Sequence, residues 1–141
     1  MVKGKTIDQI NIGDSASFQK TISETDVYLF AGITGDYNPA HLNDVEARKT
    51  IFGERIVHGL LSAGLISAVL GVQLPGPGTI YLGQDLRFLK PVKFGDTINA
   101  IVEVIEKNEE KNILKLKTKC INQNNEEVIT GVATVMPRKK G

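Results

Sequence analysis

The stretch His58–Leu74 reads HGLLSAGLISAVLGVQL, and its pattern decides the fold. Apolar residues point in nearly every helical direction, whereas an amphipathic surface helix carries them on one stripe. The segment therefore predicts a helix surrounded by protein. Pro75-Gly76-Pro77-Gly78 follows at once, and proline cannot continue a helix.

Beyond that stop the hydrophobic period falls to two. Thr79–Leu89 is one expected strand, and Asp96–Glu106 is another, with Ile98, Ala100, Val102 and Val104 alternating against polar neighbours. Leu114, Leu116, Thr118 and Cys120 then alternate with Lys115, Lys117 and Lys119, and Glu127–Met136 is the last strand. Short polar turns at Asn108–Lys111 and Asn122–Asn125 join neighbours, which implies antiparallel pairing.

Before the helix, Ser15–Ile22 reads as a strand with Ala16, Phe18 and Ile22 on one face. Ser23 has the look of an N-cap, with Asp26 as the far half of a capping box, for a helix that fades near Gly32. Thr34–Ile56 is polar and irregular, with a helical turn or two at Asp44–Lys49. The expected architecture is α+β, a single antiparallel sheet curled around one helix. The echo of Ile12-Gly13-Asp14 in Phe94-Gly95-Asp96 is shared turn chemistry at strand entry, not a repeat.

The 141 residues suit one domain with its own core, and 41% hydrophobic with 23% charged residues is an ordinary globular balance. A net charge of +1 argues against nucleic-acid binding, and the Arg138-Lys139-Lys140 tail reads as solvated. Cys120 is the only cysteine, which excludes an intrachain disulfide and a cysteine zinc cage. The N-terminal Met1–Lys5 is not followed by the apolar run of a secretory signal, and Leu60–Leu74 is short for a bilayer span. A cytoplasmic protein with no membrane or nucleic-acid partner is expected.

Reactive side chains concentrate in Gly35-Asp36-Tyr37-Asn38-Pro39-Ala40-His41. Pro39 biases Asn38 away from helix, so the segment is a loop or turn across which Asp36 and His41 can converge. A carboxylate and an imidazole meeting at one point can hold and deprotonate a water, acid–base help worth about 10²–10⁴ in rate. The same residues also suit a plain bracing turn, and residue types alone leave both readings open. Val57-His58-Gly59 opens the enclosed helix, where first-turn N–H groups lack intrahelical partners and a bare Cα lets a ligand oxygen approach. Relief of crowding between helix and sheet would explain that glycine too.

Other chemistries fail on spacing. Ser62-Ala63-Gly64 lacks the glycine two residues before the serine that a nucleophile elbow needs, because position 60 is Leu. No Walker loop or dinucleotide fingerprint occurs. The two histidines have no carboxylate cluster near them in sequence, so no metal is expected.

The loop Gly35–His41, with Ile56-Val57-His58-Gly59, Ile80–Gln84 and Pro91–Asp96, closely resembles MaoC-like hydratases, especially the single-domain (R)-specific enoyl-CoA hydratases. The resemblance runs over nearly the whole chain and implies a hot-dog fold, a homodimer or higher homo-oligomer joined through sheet edges, and an acyl-CoA thioester substrate at the interface. It further implies that Asp36 and His41 hold the attacking water and that the Gly59 N–H binds the thioester oxygen. Asn38 would orient the loop or the water, and Ser67 and Leu70 would line the acyl pocket. His58, beside Gly59, could contact a substrate, but a helix-entry histidine satisfied by backbone is the preferred reading. No cofactor is implied. Ala40 stands where a bulkier aliphatic residue is usual, which bears on packing rather than proton transfer. Rival readings are a 3-hydroxyacyl-ACP dehydratase or a thioesterase on the same fold, and a non-catalytic acyl-CoA sensor. The sensor would need a further domain, and the expectation is a single domain over 1–141.

Overall fold

Period-two alternation in the C-terminal half produces the sheet it predicts. The structure, a computed structural model, describes residues 2–141. Five strands, β1 (Ser15–Thr21), β2 (Ile80–Phe88), β3 (Thr97–Asn108), β4 (Ile113–Ile121) and β5 (Glu127–Met136), form one antiparallel sheet in the order β1-β3-β4-β5-β2. Ile98, Ala100, Val102 and Val104 of β3 and Leu114, Leu116, Thr118 and Cys120 of β4 are all buried, so each alternating set faces one core. Thr118 stays on that face because its hydroxyl accepts a hydrogen bond from Gln84 Nε2 at 2.8 Å, which satisfies an otherwise costly buried oxygen. The pairing of β2 with β5 is a crossover that turn length could not reveal, and it leaves β2 at the sheet edge.

Helix α1 (Glu24–Thr34) begins at Ser23, where the capping box with Asp26 closes in both directions. It ends at Gly35, whose φ of +80 is the left-handed geometry that favours glycine, and whose N–H returns to the Ala31 carbonyl. The turn at Gly35 delivers Asp36 into the loop. Two short helices follow, α2 (Pro39–Leu42) and α3 (Asp44–Ala47). The first was expected to be loop; proline at its opening position is compatible with a helix start, and Asn38 caps it.

Helix α4 (Gly59–Val72) crosses the sheet, burying Leu65, Ile66, Val69 and Leu70 in a core that also holds Ile22, Val27, Ile98, Leu116 and Val135. One chain does not surround it. Leu60, Gly64, Ser67 and Gly71 form an exposed stripe, with Leu60 at 62% and neighbouring Val72 at 70%. The all-round apolar pattern therefore records two environments, a sheet-facing side and an outer side that the sheet of one chain does not reach. Phe18, expected toward the core, stays 40% exposed on the edge strand β1. No helix among the described residues is long and apolar enough to cross a membrane.

Candidate active site

The loop after α1 and the start of α4 come together at one end of the enclosed helix. Asp36, His41 and His58 each offer one carboxylate or ring-nitrogen atom there, and these atoms all lie within 4.8 Å of one another. Asp36 is exposed, His41 half-buried and His58 buried.

Local hydrogen bonds shape the loop. The Asp36 N–H donates to Thr34 Oγ1 at 3.2 Å, and Asp36 Oδ1 accepts from the Asn38 N–H at 3.2 Å. Asn38 Oδ1 accepts from the Ala40 N–H at 3.0 Å, which starts α2 and carries His41 round by one turn. Asn38 thus organises the backbone of the loop, as an Asx cap does.

The imidazoles are fixed by backbone carbonyls, which only accept. His41 Nδ1 lies 2.8 Å from the Ile56 carbonyl oxygen, so Nδ1 carries the proton and Nε2 keeps its lone pair. His58 Nε2 lies 3.0 Å from the Asp36 carbonyl oxygen, so that nitrogen donates, and the buried Nδ1 has no partner. The two rings stack at 3.9 Å between centroids, and Phe30 packs on His58 at 4.8 Å. Sequence spacing gave His58 no carboxylate neighbour; the fold supplies Asp36, because α1 and α4 converge. With that carboxylate present, the three side chains are the group in the described chain whose donors could ligate a cation.

Gly59 opens α4, and His58 makes no side-chain hydrogen bond to the first turn. The helix leaves that N–H without an internal acceptor. A Cβ on Gly59 would stand 2.6 Å from the Phe88 ring, so the crowding explanation for this glycine is real as well. Beside it lies a cavity of about 220 Å³ whose walls include Phe52, Ile56, Gly59, Ser62, Phe88 and Ile129. Ser62 is fully buried and its hydroxyl has no partner.

The remaining expected residues fall elsewhere. Ser67 is on the exposed outer stripe of α4, and Leu70 is a core residue 1% exposed. Sequence reasoning missed the Ile56 carbonyl, the ring of Phe88 and the buried Ser62 hydroxyl. The first is backbone and carries no side-chain signal; Ser62 was weighed only as a nucleophile and set aside for want of a glycine at position 60. Arg55, next to Ile56, ties the loop to α1 through Glu24 at 2.9 Å and the Tyr28 hydroxyl at 2.7 Å. The Tyr28 hydroxyl, with Arg55, holds the Glu24 carboxyl below the usual carboxylate range.

A sheet laid across one helix defines a hot-dog protein, here with a carboxylate and two imidazoles gathered at the helix start. The chain belongs to the MaoC-like domain family, whose model matches residues 9–126. It is 52% identical over 134 residues to an (R)-specific enoyl-CoA hydratase of Rhodospirillum rubrum, covering 95% of this chain and 92% of that protein. It is 46% identical to a 3-hydroxybutyryl-CoA dehydratase of Methylorubrum extorquens, covering 94% and 84% respectively. The unliganded R-hydratase of Pseudomonas aeruginosa superposes with a TM-score of 0.92 at 44% identity, covering 99% of this chain and 89% of that one.

Proposed function

We propose that this protein is an (R)-specific enoyl-CoA hydratase, a hydro-lyase that adds water reversibly to a trans-2-enoyl-CoA to give the (R)-3-hydroxyacyl-CoA. The observation that carries the reading is the placement of Asp36 and His41 within 4.8 Å of each other beside the opening residue of α4. The hydratase and 3-hydroxybutyryl-CoA dehydratase relatives, at 52% and 46% identity, support the same reaction in its two directions.

The thioester draws electrons from the double bond, which opens C3 to attack and builds charge on the thioester oxygen. A water held by the Asp36 carboxylate and His41 Nε2 is deprotonated as its oxygen bonds to C3. The Gly59 N–H meets the thioester oxygen as it becomes an enolate; one comparable donor is worth about 2.7–4 kcal/mol elsewhere. A proton then returns from the pair to C2, on the face from which water arrived, so the addition is syn. The two groups act as a dyad. Asn38 keeps the loop in shape, and the apolar walls of the cavity beside Gly59, Phe52, Phe88 and Ile129 among them, bound the acyl chain.

The enzyme acts as a homodimer or higher homo-oligomer. Strand β2 is an edge strand with exposed Ile80, Tyr81, Leu82 and Phe88, next to the bare Leu60 and Val72 of α4. An apolar edge of that length is a pairing surface for a second copy.

Incubation with crotonyl-CoA and a thiol dye tests the reaction. Loss of enoyl absorbance without free thiol, with an (R)-hydroxyl product by chiral analysis, is expected; thiol release would make the protein a thioesterase. The dye reads coenzyme A cleanly because burial pushes the Cys120 thiol up to about 12. Relatives named 3-hydroxyacyl-[acyl-carrier-protein] dehydratase stand at 36% identity, so the same assay with the acyl-carrier-protein thioester decides the carrier, and faster turnover of that thioester would replace coenzyme A.

A further inference from the structure

His58 is 2% exposed, and its polar atoms face protein rather than the open side of the site. We propose that His58 is a positioning residue that holds Asp36, His41 and the Gly59 N–H in one geometry; the proposal rests on the hydratase reading above. Two contacts converge on this one ring, and the residue's backbone adds a third tie. Its Nε2–H donates to the Asp36 carbonyl at 3.0 Å, which fixes the backbone from which the carboxylate springs. Its face lies 3.9 Å from the His41 ring, tilted by 28°. Its own backbone is the N-cap of α4, so the next N–H in the chain is that of Gly59. A change in His58 is therefore transmitted to all three reactive groups at once.

The tautomer gives the ring a second part. The carbonyl of Asp36 can only accept, so the single proton of neutral His58 is on Nε2, and Nδ1 is buried with no partner. With Nδ1 facing only protein, the ring meets His41 through its face and supplies a rigid wall. Misplacing reacting groups by about 1 Å can lower a rate about a hundredfold, which sets the effect expected when the wall and its hydrogen bond are lost.

Three proteins test this: wild type, His58→Phe and His58→Gln. Because the chain has two histidines, imidazole ¹⁵N spectra of the wild type separate cleanly. The expected pattern is Nε2–H for His58 and Nδ1–H for His41; an Nδ1–H tautomer at His58 overturns the proposal even if no variant folds. In His58→Phe the Asp36 and Tyr37 amide resonances should move, and kcat should fall about a hundredfold with KM little changed. His58→Gln, whose amide nitrogen can again donate to the Asp36 carbonyl, should recover much of the loss. A rise in KM with intact kcat would make His58 a substrate contact, and equal losses in both variants would remove the hydrogen bond from the account. If the wild type does not hydrate enoyl thioesters, the functional reading fails by itself; the tautomers and amide shifts still judge the positioning role without substrate.

Discussion

His41 and His58 stand face to face, with ring centroids 3.9 Å apart, although they belong to different elements, α2 and the N-cap of α4. Each ring is held by a backbone carbonyl on the other's side of the junction. His41 binds the Ile56 oxygen two residues before His58, and His58 binds the Asp36 oxygen five residues before His41. The junction between loop and helix is thereby cross-laced, and it leaves a lone pair on His41 Nε2 and another on the buried His58 Nδ1.

Loss of either member of that pair should stop the chemistry while leaving the fold. Asp36→Asn and His41→Gln are each expected to lower hydration of crotonyl-CoA at least about a hundredfold, within the range of acid–base catalysis. Asp36 is exposed and outside the core, so thermal unfolding of its variant should track the wild type. Near-normal turnover in either variant would take that residue out of the mechanism.

Gly59 carries two demands that one double mutant separates. Gly59→Ala puts a methyl 2.6 Å from the Phe88 ring, so the variant should lose about 1–3 kcal/mol of stability by overpacking. Adding Phe88→Ala removes the clash and should restore melting temperature. Activity should stay low if a ligand oxygen needs the bare Cα. Recovery of both stability and rate together would reduce Gly59 to a packing residue.

The sheet was legible because period-two alternation leaves little choice of inward face; Ile98–Val104 and Leu114–Cys120 went inward as read. The loop motif was legible in part: Asn38 and Pro39 mark the change of direction after Gly35, but the same two residues open the short helix α2 where a loop was expected. What escaped depends on long-range placement. The β2–β5 crossover joins segments that no short turn links, and the exposed outer stripe of α4 looks apolar in sequence just as a buried one does. His58 was legible as a helix-entry histidine satisfied by backbone, but not which backbone: the Asp36 oxygen and the rings of Phe30 and His41 reach it only through the fold.

Ser62 offers a stability gain. Its hydroxyl is buried on the inner side of α4 with no partner, and an unsatisfied buried group of this kind costs about 1–3 kcal/mol. Ser62→Ala removes the oxygen and very little volume, so a melting temperature above wild type is expected in differential scanning calorimetry. A clear loss of stability would mean that the hydroxyl is satisfied in solution.

Acid should weaken the start of α1 in a way that one variant isolates. The Ser23 N–H holds the Asp26 carboxyl below its ordinary range; burial opposes it as the next largest influence, and the Ser23 hydroxyl and Lys20 help by less. A carboxyl depressed in the folded protein adds stability above its unfolded value, about 3.9 for Asp, and that stability drains away as pH falls through the folded value. Asp26→Asn cannot titrate, so the stability gap between wild type and variant should be full at neutral pH and close progressively in strong acid. Ser23→Ala removes the reciprocal bond to the Asp26 N–H at 3.1 Å and should cost about 1 kcal/mol. Urea melts of the three proteins across pH 7 to 2 give the comparison. A gap that stays constant over that range would show that the Asp26 carboxylate contributes nothing through its charge, and the capping box would then act through Ser23 alone.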